Sequence, residues 1–251
     1  MPTARRALIA GLGLIGGSIG IALRRRGWHV AFLDSDPCLV AGEAADERVL
    51  SLDVEADLVI LATPVDVAVS LLASTRAPLV TSVCSVMTPL RAIAGDRFVA
   101  GHPLAGSQNH GIAAARADLF NGATWFIDRD DAVVREVVAA CGAHEEIVDA
   151  ADHDRAVALT SHLPQIVSTA LAALMHDQHV DLRYAGPGLR TLLRLAGSDA
   201  SVWSPILAAN RENLEPHAEA LQQLVRQIVD GDPTGAFTKA NQLFAALLPR
   251  D

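Results

Sequence analysis

Cysteine is scarce in this 251-residue chain, and basic charge is in deficit. The three cysteines, Cys38, Cys84 and Cys141, lie far apart with no Cys-x-x-Cys. That spacing excludes a disulfide framework and a zinc site, so no metal is expected, and it fits a reducing, cytoplasmic setting. A formal net charge of −9 excludes the basic face that a nucleic-acid partner needs, although one or two local arginines can still grip a small anion. Long apolar runs are missing too. The uncharged stretch from Ala7 to Leu23 follows Arg5-Arg6 but contains five glycines. It is shorter than the roughly 20 apolar residues of a membrane span. Arg24-Arg25-Arg26 follows it where an export signal would place a small-residue cleavage site, so neither membrane nor export is expected. No internal repeat or low-complexity linker is visible.

What is present is apolar and periodic. Hydrophobic residues make up 51% of the chain, enough for a sizeable core. Strand-like runs occur at Arg6–Ala10, His29–Leu33, Asp57–Ala62, Pro78–Val83 and Phe98–Gly101, with late edge strands at Thr124–Ile127 and Glu146–Val148. Helical stretches alternate with them, which predicts an α/β domain with a Rossmann-type, mostly parallel sheet. Near Asp149 the character changes. The segments 152–176, 189–196, 201–231 and 233–248 are helical in period, and no strand is expected among them. Two domains are predicted: 1–149 for dinucleotide binding and an all-helical 150–251 for substrate binding and dimerisation. The helical half has more apolar faces than it can bury alone, which predicts a homodimer.

Gly11, Gly13 and Gly16 form Gly-x-Gly-x-x-Gly between a strand and a helix, and Asp34 lies 18 residues beyond Gly16 at the end of the second strand. In that context the pattern reads as a dinucleotide site. The amides of Leu14, Ile15 and Gly16 at the helix start meet the pyrophosphate. Asp34 accepts from the adenosine ribose and repels a 2′-phosphate, which favours NAD over NADP. Thr63 and Pro64, just after a buried strand, lie on the cofactor's ribose side; Thr63 reads equally well as a helix cap.

Gly101-His-Pro-Leu-Ala-Gly-Ser107 follows some ninety residues after the glycine turn. By itself His102 reads either as a satisfied core histidine or as an imidazole on a Gly/Pro-bounded turn, ready to take a proton from a hydroxyl while nicotinamide takes the hydride. Two further blocks accompany it: His153-Asp followed by Ser-His162-Leu-Pro, and Leu193-Arg194-Leu-Ala-Gly-Ser-Asp199 with Trp203 and Ala-Asn210-Arg211-Glu-Asn213. Taken together, in this order and over nearly the whole chain, these blocks resemble the prephenate and arogenate dehydrogenases, the TyrA family of tyrosine biosynthesis. The resemblance implies NAD-dependent oxidative decarboxylation of a cyclohexadienol, with His102 accepting the C4-hydroxyl proton and Ser85, near the nicotinamide, orienting either His102 or the hydroxyl. It also implies that Arg194 binds a substrate carboxylate, with the side-chain carboxylate favoured because a firm grip on the ring carboxylate would stabilise the charge that must be lost. His153 and His162 support the substrate pocket; their nine-residue separation is read as placing both on one half of a single helix. Arg211 either supports the residues that touch the substrate or lies at the subunit interface.

The chain departs from the family pattern at three places. Met87 stands where the family's Gly-Ser-Val-Lys has lysine, Gln165 stands where a second histidine often follows Ser-His-Leu-Pro, and neutral Gln108 follows Ser107 where arogenate users tend to be acidic. Ser107 and Gln108 are expected at the substrate, and Gln108 favours prephenate, because an amide cannot pair with the arogenate ammonium. The alternatives are arogenate, 4-amino-4-deoxyprephenate or a non-catalytic NAD sensor. A β-hydroxyacid dehydrogenase would want a lysine at the start of the helical domain, and the chain's one lysine is Lys239. With no regulatory domain expected after the last helix, feedback by tyrosine would act by competition at the active site.

Overall fold

A computed structural model describes residues 5–106 and 109–247. Six parallel strands form its central layer: β1 (Arg6–Ala10), β2 (His29–Leu33), β3 (Glu47–Arg48), β4 (Leu58–Leu61), β5 (Val80–Ser82) and β6 (Phe98–Val99). They lie in the order β3-β2-β1-β4-β5-β6. Ala7–Ala10 of β1 pairs with Val30–Leu33 on one side and Leu58–Leu61 on the other. Both neighbours and both faces are therefore occupied, and this is why β1 and β4 are unbroken apolar strings without polar alternation. Ala7 and Ile9 pack with Ile19 and Leu23 of α1 (Leu14–Arg25). Leu8 and Ala10 face Val65 and Leu72 of α2 (Val65–Ser74) and Leu90 of α3 (Thr88–Ile93). Val134, Val137 and Val138 of α4 (Ala132–Ala140) join the α1 face. The strand order reverses between β1 and β4, which opens a crevice at their C-terminal ends.

The late strands form a separate small sheet and do not extend the first one. β7 (Gly101–Pro103), β8 (Thr124–Ile127) and β9 (His144–Ile147) lie in that order, β7 antiparallel to β8 and β8 parallel to β9. His102 therefore sits in a strand, paired opposite Phe126, and not on the expected turn. Two features bend the chain into it. A Cβ on Gly101 would lie 2.7 Å from the Ser82 carbonyl oxygen, so only glycine lets β7 run this close to β5. Asp128 accepts from the Ala100 amide at 2.9 Å and pairs with Arg91 of α3 at 3.2 Å, pinning the corner.

After Asp149 the described residues form helices joined by short turns, with no strand among them: α5 (Ala150–Val157), α6 (Leu163–Asp177), α7 (Pro187–Leu192), α8 (Ala200–Ala209), α9 (Arg211–Asp230) and α10 (Thr234–Leu247). Asp149 caps α5, accepting from the amides of Ala151 and Asp152. The segment read as one helix over 201–231 is broken at Asn210, whose side chain turns inward to the Asp154 carbonyl at 2.8 Å.

Between α5 and α6 the helix winds as a π turn, Ala158–His162. This corrects the reading of the two histidines. Nine residues of regular α-helix rotate through about 180°, which sets His153 and His162 on opposite faces. The wider turn absorbs roughly one residue of rotation, about 100°, and brings both inward. Both are fully buried. By length and composition, Ala150–Asp177 could cross a membrane. Its buried polar side chains, His153, His162, Gln165 and Ser168, are hydrogen-bonded to other elements of the protein.

Candidate active site

The glycine turn occupies the crevice. Gly11 has φ +88°, and a Cβ there would meet the Ala62 carbonyl oxygen at 2.6 Å. A Cβ on Gly16 would meet the Gly11 carbonyl oxygen at 2.0 Å, whereas Gly13 faces open space. The turn is thus tight, closed against the helix, and open on the side where a diphosphate would approach. α1 starts at Leu14 and Ile15 without a side-chain cap and without an acidic residue in its first turn, so nothing from the protein competes for its leading amides. Asp34 accepts from the Leu12 amide at 2.7 Å and the Asp36 amide at 2.9 Å. A carboxylate has about four lone-pair sites, which leaves capacity for ribose hydroxyls. Thr63 packs against Gly11, and its buried Oγ1 has no partner among the described residues, while Pro64 takes the cap position of α2. These features fit a dinucleotide. The sequence reading missed Arg48: β3 carries it over the Phe32 ring at 4.8 Å, and its N–H groups are donated to the carbonyls of Asp34, Asp36 and Leu39.

His102 is half-buried, and its Nδ1 lies 2.9 Å from Nε2 of His153. His153 Nδ1 lies 2.9 Å from Oδ1 of Asp154. The Asp154 carboxylate accepts from the Met87 amide at 2.9 Å and the Thr88 amide at 2.8 Å, at the start of α3. The loop that carries Ser85 is therefore tied to the carboxylate that stands two links behind His102. Burial pushes the His102 imidazole down to about 3, with the nearby His153 and His162 adding to the effect and Asp154 opposing it. Burial alone would raise Asp154, but hydrogen bonds from His153, Thr88 and Met87 outweigh it and hold the carboxyl below its ordinary value.

His162 is buried, with Nδ1 3.1 Å from the Asn210 amide nitrogen and an edge-on contact to Trp203. Burial lowers it to about 4, against the pull of Asp154. Its Nε2 has no partner among the described residues. Gln165, where the family often has histidine, is almost fully buried. Its amide donates to Thr169 Oγ1 at 3.0 Å and to the Leu195 carbonyl at 2.9 Å. Ser168 bonds the Leu192 carbonyl at 2.9 Å. Together they clamp the 3₁₀ turn Leu193–Gly197 onto α6. Arg194 lies in that turn, exposed and without an ion pair among the described residues. Ser107 and Gln108 lie outside the described residues. Arg211 is exposed, 3.8 Å from Glu215 on its own helix.

Asp154, Asn210 and the clamp role of Gln165 were missed from sequence. The His153-Asp154 dipeptide held a usable signal, because a buried imidazole needs partners for both its nitrogens.

The arrangement pairs a nucleotide crevice with a supported imidazole. The nucleotide-binding domain of prephenate dehydrogenase matches residues 19–145, and the dimerization domain of prephenate dehydrogenase matches residues 149–235. A probable prephenate dehydrogenase of Streptomyces niveus is 35% identical over 266 residues, covering 91% of this chain and 71% of its own length. The prephenate dehydrogenase of A. aeolicus, solved with hydroxyphenyl propionate and NAD+, superposes with a TM-score of 0.81 at 26% identity, covering 97% of this chain and 98% of that one. Synechocystis arogenate dehydrogenase gives a TM-score of 0.72 at 27% identity, with 96% of each chain covered. With both domains matched in order, on the fold and the crevice described above, the chain belongs to the prephenate dehydrogenase family.

Proposed function

We propose that this enzyme oxidatively decarboxylates prephenate to 4-hydroxyphenylpyruvate, with His102 taking the C4-hydroxyl proton. The observation that carries the reading is the His102 imidazole itself, half-buried beside the loop after β5 and backed by His153 and Asp154. The cofactor is NAD, which when bound supplies the acceptor for hydride from C4. Gly11, Gly13 and Gly16, with the amides of Leu14 and Ile15, hold its diphosphate; Asp34 holds its ribose; Thr63 and Pro64 line the crevice.

Loss of hydride from C4 and of the proton from its hydroxyl turns the alcohol into a dienone, an electron sink para to the ring carboxylate. Carbon dioxide then departs, the electron pair of the broken C–C bond makes the ring aromatic and passes to the C4 oxygen as phenolate, and that oxygen takes back a proton to give the phenol. The protein's task is to position and to accept one proton. A neutral His102 accepts it, and Ser85 orients the hydroxyl. Arg194 grips the side-chain carboxylate, Ser107 and Gln108 contact the substrate, and His162 and His153 support the pocket. Neutral Gln108 favours the keto-acid side chain over the ammonium of arogenate. Residues 1–149 form the nucleotide domain. Residues 150–251 pair with a second copy, supported by the match to a dimerization domain, and the enzyme works in the cytoplasm.

The test is NADH formation with prephenate and NAD, run beside arogenate and NADP. Turnover should be fastest on prephenate with NAD. His102→Asn should lower kcat by about 10²–10⁴-fold while NAD binding is kept. Faster turnover of arogenate would overturn the substrate, and undiminished turnover in His102→Asn would overturn the mechanism.

A further inference from the structure

We infer that Asp154, which touches neither substrate nor cofactor, is the positioning residue that keeps the outward nitrogen of His102 free to accept a proton. The inference rests on the reading of His102 as the proton acceptor. It begins with two backbone amides. The N–H groups of Met87 and Thr88 can only donate, and both point at the Asp154 carboxylate, at 2.9 and 2.8 Å. Its oxygens are therefore acceptors, and an ionised carboxylate has no proton to return. His153 Nδ1, 2.9 Å from Oδ1, must then carry the hydrogen of that contact. A neutral His153 has only that one, so its Nε2 is a lone pair. It faces Nδ1 of His102 at 2.9 Å, and two lone pairs do not meet at that distance. His102 Nδ1 therefore carries its ring's single hydrogen, and Nε2 is left bare.

The balance of the step follows. The substrate O–H bond breaks and an N–H bond forms at His102 Nε2, as hydride leaves C4 for the cofactor. The hydrogen on His102 Nδ1 can then pass to His153 Nε2, which leaves the positive charge on His153 beside the Asp154 carboxylate. No further oxidant or reductant is required. The arrangement also crosses the seam of the molecule. Asp154 belongs to α5, Met87 and Thr88 to the turn into α3, and His102 to β7.

Long-range ¹H–¹⁵N spectra of the protein labelled in histidine read the tautomers directly. In the wild type at neutral pH, His102 and His153 should both be Nδ1–H forms. In Asp154→Asn a carbonyl in the place of Oδ2 keeps the Thr88 amide at 2.8 Å and the Met87 amide at 3.2 Å, which turns the NH2 group toward His153. Both rings should then switch to Nε2–H, and kcat should fall by about 10³–10⁴-fold, the scale seen when a buried aspartate behind a catalytic histidine becomes asparagine. KM and NAD affinity should stay within about twofold, which loss of a merely structural contact would not give. A wild-type spectrum showing His102 as Nε2–H, as a doubly protonated His153 would impose, overturns the inference, as does an unchanged His102 tautomer in Asp154→Asn. Should that variant not fold, the wild-type spectrum decides alone. Persistent turnover in His102→Asn would defeat the proton-acceptor reading instead, and the wild-type tautomers would still be as derived.

Discussion

The two halves of this chain satisfy their side chains in opposite ways. In the first half, β1 and β4 are sealed on both faces, and two apolar clusters account for nearly every buried hydrophobic residue. In the second, the core is Ala158, Leu163 and Leu214, and α7, α8 and α10 bury no residue at all. Phe237, Leu243, Phe244 and Leu247 of α10 are exposed, as are Leu224, Val225 and Val229 of α9. Patches of that extent mark an interaction surface. The first half is held by burial within one chain. In the second half that small apolar core is supplemented by buried polar side chains: Gln165, Ser168, Asn210 and the histidines.

That contrast can be broken experimentally. The largest effect is expected on the open face of α10. For the proposed homodimer, Phe237→Glu with Phe244→Glu should convert dimer to monomer in sedimentation and abolish turnover, while NAD binding by the first half survives. A variant that remains dimeric would move the interface elsewhere.

Next comes acid. His102 and His162 are held neutral when folded, at about 3 and about 4, below the ordinary 6.5 of the unfolded chain. Above pH 6.5 neither state takes up these protons, so stability is full. Below it only the unfolded state does, and stability should drop toward pH 4 by about 1.4 kcal/mol per pH unit for each ring. Urea midpoints from pH 7 to pH 5 read this directly, and a flat profile would place the rings in water.

The smallest change is expected at the clamp. Gln165→Ala should cost about 1–2 kcal/mol, raise KM for the substrate more than it lowers kcat, and leave NAD binding unchanged. An effect on NAD binding would show that the clamp serves the first half as well.

What was legible in the sequence was local. The glycine turn, its helix and Asp34 are set by spacing over fewer than thirty residues, and the structure arranges them as that spacing requires. The helical second half was legible from period alone. The small antiparallel sheet was not, because Gly101 reads as a turn residue until Ser82 is seen packed against it. The support behind His102 was hidden for the same reason: its two partners come from fifty residues away, and the amides they hold come from a third segment. Arg194 shows the reverse case. Its motif is plain, but its side chain is exposed and has no ion pair among the described residues.

The π turn at Ala158–His162 makes this part of the protein intolerant of miscounting. That turn already absorbs one residue more than regular winding does, so a further residue inserted there would have to be taken up as rotation. Everything downstream would swing by about 100° relative to α5. Gln165 and Ser168 would lose the carbonyls they hold, and His162 would leave Asn210. A single-codon insertion in this stretch should therefore be more damaging than deletion of one exposed residue such as Leu159, which would restore regular winding and keep the downstream faces, since the insertion would leave a well-formed helix facing the wrong way.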